Sequence, residues 1–193
     1  RHYDYDPDRA RELLEEAGWV EGDDGIRERD GERFSFEIFT NAGNEVREQY
    51  ITVMQEQWRE IGVECIPQTE EWNAFLDRIT GTRDFEMFLV GFSWGVDPHQ
   101  ETMWHTDAAD GGFNMNRYSN PEVDRLLEET RAVDDVVERA ELYSQVCELI
   151  AEDAPMIFIR HAGQIKVFQP DVRGFVHISD GMMRLREVWL ENS

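Results

Sequence analysis

The chain has 193 residues, enough to bury about 70% of its unfolded surface around a hydrophobic core, so a miniature disulfide-stapled scaffold is excluded. Apolar residues make up 40% of the chain and aromatic residues 11%, which excludes a disordered protein. The 19 basic and 42 acidic residues give a net charge of −23, and Lys166 is the single lysine. No basic stripe is present, which excludes nucleic acid and anionic membranes as partners.

The cysteines, the apolar runs and the first residues bear on where the protein is located. Cys65 and Cys147 fit no metal or redox spacing, and we expect two buried free thiols. The longest apolar runs, residues 87–90 and 156–159, are too short to cross a bilayer. The chain opens on Arg1 without a secretion signal, so we expect a mature product or a segment of a longer chain.

The first half of the chain alternates helix and strand patterns. Asp6-Pro7 predicts a helix start that Gly18 ends, and Asn44 predicts a second helix that Gly62 ends. The other predicted elements are an exposed loop or hairpin (20–33), a strand (34–40), a strand (63–67), a helix (71–80) and a strand buried on both faces (85–91). This order predicts an α/β fold with a largely parallel sheet.

The second half predicts two helices followed by strands without helices between them. The helices begin at Asn120-Pro121 and at Asp134 or Asp135. The predicted strands cover residues 156–160, 165–168, 173–177 and 184–190. The whole is therefore a mixed sheet flanked by helices.

Ligands of open parallel sheets bind at the carboxyl ends of the strands. This rule selects residues 41–44, 68–72 and 92–97, which combine amides, indoles and carboxylates. Such groups favour recognition over catalysis. We expect Trp72 to pack in the core and Asn44 to cap its helix, whereas Trp94 faces a ligand.

Two groups of residues suggest catalytic or metal-binding alternatives. Gly91, Ser93 and Gly95 match the G-x-S-x-G motif of α/β serine hydrolases, but Asp97-Pro98 makes a poor first turn for the helix that such a nucleophile requires. A cluster of histidines and carboxylates lacks any recognised metal spacing, so solvated loop residues are expected. Its members are His99, Glu101, His105, Asp107 and Asp110. We predict no catalytic residue, no metal and no cofactor.

Several short motifs occur in a specific order along the chain. They are residues 5–19 (YDPDRARELLEEAGW), Gln57-Trp58 with 61–63 (IGV), Glu71-Trp72 with Phe75-Leu76, Asp97-Pro98, residues 118–124 (YSNPEVD) with Leu126-Leu127, Arg139 with Tyr143, and residues 153–155 (DAP). Together they resemble the family 5 extracytoplasmic solute-binding proteins of ABC importers, the peptide and nickel class.

The resemblance implies the C-terminal lobe of a type II periplasmic-binding-protein-like fold over residues 1–164, with residues 165–193 returning to an N-terminal lobe. It implies a periplasmic or extracellular, membrane-anchored lipoprotein, not an enzyme, that closes on a solute between two lobes and delivers it to the ABC permease. Family members bind peptides, oligosaccharides or metal chelates. A module that binds another protein through the exposed cleft face is the remaining alternative.

The expected ligand contacts combine hydrogen bonds with aromatic stacking. They are Asn41, Asn44, Arg78, Phe92, Ser93, Trp94 and Asp97. Arg78 resembles a position that contacts the ligand carboxylate in some peptide binders. Peptide-binding relatives anchor the ligand's amino group with an aspartate after the aromatic strand end, where this chain has Trp94-Gly95 instead.

Overall fold

The computed structural model describes residues 3–93, 99–161, 163, 165–176 and 185–191. The chain divides into two compact units, and each is described by itself. The first unit comprises Arg1–Gly91 and Thr102–Ser119, and the second comprises Phe92–Glu101 and Asn120–Ser193.

The first unit contains most of the strands. Its strands are β1 (Val20–Glu21), β2 (Arg27–Arg29), β3 (Glu32–Arg33), β4 (Ser35–Asn41), β5 (Glu64–Glu70) and β6 (Met87–Phe88). Its first three helices are α1 (Pro7–Glu16), α2 (Glu45–Glu60) and α3 (Trp72–Leu76), and α3 continues as a π-helix (Asp77–Thr82). A fourth helix, α4 (Glu101–Trp104), is followed by a 3₁₀ turn (Thr106–Ala109). Its first residue, Glu101, is the last residue of a segment assigned to the second unit.

Local capping fixes the helix boundaries. The Asp6 carboxylate accepts a hydrogen bond from the Arg9 backbone N–H at 2.8 Å, and Asn44 caps α2 in the same way. Gly62 follows α2 with a φ of +82°, a left-handed conformation that suits glycine. These predicted helix starts and stops are confirmed.

The central sheet has the strand order β5-β4-β6, and all three strands are parallel. Ile38 from β4, Ile51 from α2 and Cys65 from β5 form a buried cluster against which Trp58 and Met87 pack. Burying each such isoleucine contributes about 1.5–3 kcal/mol. The predicted α/β class with a parallel sheet is confirmed.

Residues 20–33, predicted as a loop or hairpin, form the antiparallel sheet β1-β2-β3. Arg27 in β2 is only 3% exposed because its guanidinium is fully engaged inside the unit. Its Nε donates to the Ile61 carbonyl at 2.9 Å, Nη1 to the Trp19 carbonyl at 2.8 Å, and Nη2 to the Glu15 carboxylate at 3.3 Å. A buried charge is tolerated here because it is hydrogen-bonded.

Two predictions for this unit were wrong in part. The strand predicted over residues 85–91 is limited to Met87–Phe88, and its residues are half-buried rather than buried on both faces. Among the described residues β6 pairs with β4 alone, so one side of it has no neighbouring strand in that part of the chain. The helix predicted over residues 71–80 changes from α to π geometry at Asp77.

The second unit is built on a helical hairpin. α5 (Pro121–Ala132) and α6 (Val136–Asp153) begin at side-chain caps supplied by Asn120 and Asp135. The buried residues of the two helices are Val123, Leu126, Leu127, Thr130, Val146 and Ile150. A short antiparallel pair, β7 (Val172–Arg173) and β8 (Trp189–Leu190), and a 3₁₀ turn (Leu185–Glu187) complete the described part of this unit.

The predicted C-terminal strands were mostly wrong. Residues 156–160 and 165–168 form no strand, and the last two predicted strands reduce to β7 and β8, with residues 177–184 outside the described part. Ile165 and Val167 are 93% and 89% exposed. An alternating pattern forms a strand only where a partner strand is available, and the described residues supply none here.

The two cysteine thiols differ in their exposure to solvent. Cys65 is buried as predicted, but Cys147 is exposed, because it lies one residue away from the buried face of α6 that Val146 and Ile150 form. Both are free. Within the described ranges, no helix is long and apolar enough to cross a membrane.

Candidate functional site

The ends of β4 and β5 lie level with each other at the carboxyl edge of the sheet. Asn41 and Glu70 are register partners on these parallel strands, so their side chains leave the same face. The Ala42 backbone N–H donates to the Glu70 carbonyl at 2.7 Å, and the Thr40 hydroxyl donates to the Leu89 carbonyl at 2.9 Å. These bonds fix the strand ends as a rigid platform.

Arg47, in the first turn of α2, reaches back to this platform. Its Nη1 donates to the Asn41 Oδ1 at 2.5 Å, while its backbone N–H is capped by Asn44 at 3.2 Å. A side chain added at Gly91 would place its Cβ 3.3 Å from Nη2, so the guanidinium also lies beside the chain that follows β6. Arg47 thus marks the point where the ends of β4 and the β6 segment meet.

The charge of Arg47 is not compensated within the part of the chain that the structure describes. Its guanidinium is half-buried, and no carboxylate in the described ranges lies within ion-pair distance of it. Burial lowers the pKa of Arg47, because a desolvated cation is less favourable than a hydrated one. An arginine keeps its proton nevertheless, so a positive charge with spare donors is held at the strand ends.

Arg78, on the π-helix, is by contrast fully engaged. Its Nη2 and Nε donate to the Glu70 carboxylate at 2.6 and 3.0 Å, and its Nη1 donates to the carbonyl and carboxylate of Asp84 at 2.6 and 3.1 Å. The guanidinium also lies 4.3 Å from the ring centroid of Phe39. These hydrogen bonds lower the pKa of Glu70 and raise that of Arg78, since each stabilises a charged form.

Trp72, at the start of α3, is 43% exposed at the same edge of the sheet. The prediction that it packs in the core was wrong, because Phe75 on the next turn takes the buried position and is fully inaccessible. The two rings lie 6.1 Å apart. An exposed indole beside the strand ends is a surface on which an apolar or planar group can stack.

The structure brings some of the predicted contacts together and not others. Asn41 and Asn44 both meet at Arg47, and Arg78 lies on the neighbouring Glu70. Phe92 is half-buried and Ser93 is exposed, both in the second unit. Trp94 and Asp97 lie outside the described residues. The contact of these residues with a ligand stays a prediction.

Arg47 was missed from the sequence although a signal was present. The end of β4 and the cap of α2 were both predicted, and a residue three positions after the cap sits in the first helical turn, within reach of the strand end. An arginine at that position can turn back toward the strand's last residue.

The candidate metal cluster does not assemble in the described ranges, where no group of three potential ligands is found. The Glu101 carboxylate lies 2.8 Å from His99 Nε2 and accepts from Arg131 Nη1 at 2.9 Å. His105 was expected to be solvated but is 8% exposed, because its Nδ1 accepts a hydrogen bond from the Asp107 backbone N–H and caps the 3₁₀ turn.

Comparison with known proteins agrees with this architecture. The sequence model described as "Bacterial extracellular solute-binding proteins, family 5 Middle" matches residues 1–114. The chain belongs to this family. Members of this family are solute-binding proteins rather than enzymes, so the serine hydrolase and the protein-interaction module both lose support.

The relatives support the fold as well. The oligopeptide-binding protein AppA of Bacillus subtilis is 31% identical over 191 residues, which cover 97% of this chain and 35% of AppA. A structure of AppA in complex with a nonapeptide superposes with a TM-score of 0.80 at 29% identity, covering 97% of this chain and 38% of that chain. NikZ from Campylobacter jejuni, in complex with Ni(L-His), gives a TM-score of 0.73 at 27% identity, covering 80% of this chain and 32% of that one.

These matches confirm the type II periplasmic-binding fold. The chain spans about a third of the length of these relatives.

Proposed function

We propose that this chain forms part of the extracytoplasmic solute-binding component of an ABC importer, which captures a peptide or a similar small solute and delivers it to a permease. The family membership and the peptide and nickel-chelate complexes of relatives support this proposal. In the proposal the protein works outside the cytoplasm and is held at the membrane by an anchor.

The observation that carries the proposal is the uncompensated guanidinium of Arg47 at the strand ends. In a chain with 42 acidic and 19 basic residues, a half-buried arginine that pairs with no carboxylate among the residues the structure describes is unexpected on charge grounds alone. Leaving a desolvated charge unpaired costs stability, and such costs concentrate where proteins bind ligands. Arg47 is thus positioned to receive an anionic group from outside the chain.

The N–H donors of the Arg47 guanidinium indicate which chemical group of the solute binds there. A guanidinium prefers a carboxylate, which it can hold with two parallel hydrogen bonds. Peptides carry a C-terminal carboxylate, and histidine in a nickel chelate carries one too, so the solutes of both relatives contain the group that Arg47 favours. Asn41 offers a further polar contact, and Trp72 offers an aromatic surface for an adjoining side chain.

The remaining predicted contacts complete the proposed site. Asn44, Phe92, Ser93, Trp94 and Asp97 each stay a prediction of ligand contact, and Arg78 has a different role that its own contacts define. The missing amine anchor at Trp94-Gly95 makes the carboxylate end of a peptide the better anchoring point.

The boundary at residue 164 also stays a proposal. Ile165 and Val167 expose apolar side chains almost completely, and Phe158 is 61% exposed. Large apolar side chains with this degree of exposure favour a place where other protein surface packs. This exposure supports a segment 165–193 that continues into an N-terminal lobe.

Native mass spectrometry of the full-length protein, purified without denaturation, tests the proposal. We expect a bound small mass that leaves when the protein is mildly unfolded, and its fragmentation identifies a peptide, a sugar or a chelate. A protein that is empty as purified and also fails to bind any of a random tripeptide library would contradict peptide capture.

A further inference from the structure

Arg78 and Glu70 form a bidentate ion pair at the carboxyl edge of the sheet, near Arg47. Their side chains are 25% and 22% exposed, so solvent screens the pair only in part. Glu70 Oε1 accepts from both Nε and Nη2, and Nε also lies 3.0 Å from Oε2. Because Nη1 is occupied by Asp84, every nitrogen of the guanidinium already donates within the chain.

These contacts leave Arg78 poorly placed to bind a ligand carboxylate. One face of its guanidinium lies over Phe39, and the edge that could form two parallel hydrogen bonds already holds Glu70. A ligand would have to break that ion pair and leave the Glu70 carboxylate uncompensated. Arg47 requires no such exchange, since its described partner is the neutral amide of Asn41.

Glu70 occupies a position from which it can affect Arg47. It is the register partner of Asn41, and Asn41 is the residue to which Arg47 donates. Neighbouring strands lie about 4.8 Å apart, so an unpaired Glu70 carboxylate would lie close enough to attract the Arg47 guanidinium and to repel an anionic ligand. Arg78 prevents both effects by holding and neutralising Glu70.

We propose that Arg78 is a positioning residue that masks the Glu70 carboxylate, so that, of the two arginines, Arg47 sets the charge preference of the solute site in favour of a carboxylate. This inference rests on the proposed function and names the chemistry of its ligand. It assigns the two arginines separate tasks: Arg47 binds the ligand, and Arg78 holds Glu70 away from it.

The test compares four forms of the full-length protein: wild type, Arg78→Gln, Glu70→Gln and the double variant. The chain offers a matched control in Arg33→Gln, because Arg33 pairs with Glu64, the first residue of β5, at the opposite edge of the same sheet. The probes are two random tripeptide libraries that differ only in a free or an amidated C-terminus, and the readout is the ratio of the two libraries retained.

We expect the wild type to prefer the free carboxylate, and Arg78→Gln to lower that preference by about fivefold or more, the effect of one unit charge about 4 Å away in bulk water. The double variant should keep the wild-type preference, because both charges of the pair are gone, and Glu70→Gln should keep or raise it, because the positive charge of Arg78 is then no longer balanced by Glu70. Arg33→Gln should leave the ratio unchanged. If adding Glu70→Gln restores the preference that Arg78→Gln lowers, then Arg78 acts by masking Glu70. A lost ligand contact or a folding defect would not be repaired by the second substitution.

A double variant as impaired as Arg78→Gln would overturn the inference and make Arg78 a direct ligand contact. Equal retention of both libraries by the wild type would overturn it too, while leaving peptide binding intact. If the wild type retains neither library, the proposed capture of peptides is contradicted. The masking role of Arg78 is then tested separately with acetate as a simple carboxylate ligand. At constant ionic strength, acetate should raise the Tm of the wild type and the double variant more than that of Arg78→Gln, and equal shifts would overturn the masking role.

Discussion

Gly62 packs directly against the buried side chain of Arg27. A Cβ added at Gly62 would lie 2.9 Å from Arg27 Cγ and 3.1 Å from the Gly25 carbonyl, and the Arg27 backbone N–H donates to the Gly62 carbonyl at 2.7 Å. Arg27 cannot move aside, because its guanidinium is held by three groups of the same unit. The end of α2 and the β1-β2-β3 sheet therefore meet at a contact that only glycine allows.

Gly62→Ala should consequently lower the free energy of unfolding by about 2–4 kcal/mol, since it combines a left-handed φ with a steric clash. Gly31→Ala is the matched control: Gly31 has a φ of +83° but no atom within 4 Å of the added Cβ, so a loss of only about 1 kcal/mol is expected. Urea denaturation measures both. Equal losses would show that the contact with Arg27 contributes nothing.

The acidic surface makes stability depend on salt. At a net charge of −23 the folded chain repels itself, and screening relieves this repulsion. We expect the Tm to rise between about 0.1 M and about 1 M sodium chloride, over which the Debye length falls from about 10 Å to about 3 Å. A Tm that falls over this range would mean that the ion pairs outweigh the net repulsion.

The Glu70–Arg78 pair should make its contribution at neutral pH and lose it in acid. The pKa of Glu70 is held below its ordinary value of 4.5 by the hydrogen bonds from Arg78. A depressed folded pKa stabilises the protein above the unfolded pKa, and this stability disappears as the pH falls through the folded value. The Tm difference between wild type and Glu70→Gln should therefore shrink below pH 4.5. A Tm difference that stays constant would show that protonation of Glu70 does not contribute to the loss of stability in acid.

The two cysteines should react at different rates. Burial raises the pKa of Cys65 to about 11, and Cys65 is inaccessible, whereas Cys147 is exposed on α6 although desolvation raises its pKa as well. A maleimide should modify Cys147 in the native protein and Cys65 only after unfolding. Peptide mapping after a short reaction identifies the modified residue. Modification of Cys65 first would contradict the burial of the β5 cluster.

Local signals explain why the helices were predictable. Asp6, Asn44, Asn120 and Asp135 each cap a helix within three residues of its start, so the boundaries of α1, α2, α5 and α6 depend on neighbours in sequence. The strands depend on partners that are distant in sequence. Residues 165–168 have an alternating pattern like that of β4, but β4 finds β5 and β6 on either side.

The candidate site also combines features that the sequence predicts with features that depend on contacts between distant residues. The strand-end rule identified Asn41 and the neighbourhood of Glu70, because it follows from the order of strands and helices alone. The sequence did not reveal that Arg78 pairs with Glu70 and Asp84, or that no carboxylate of the described ranges pairs with Arg47. Both facts depend on which side chains the π-helix and the first turn of α2 direct toward the strand ends.

The most direct test of the account is the affinity of the full-length protein and its Arg47→Gln variant for the solute that co-purifies with it, measured by isothermal titration calorimetry. The matched control is Arg59→Gln, an exposed arginine in the last turn of the same helix, at the opposite end from the site. We predict that Arg47→Gln weakens binding by about tenfold or more, as expected for a lost charge-assisted hydrogen bond, while Arg59→Gln binds like the wild type. Unchanged affinity in Arg47→Gln would contradict the central role of Arg47.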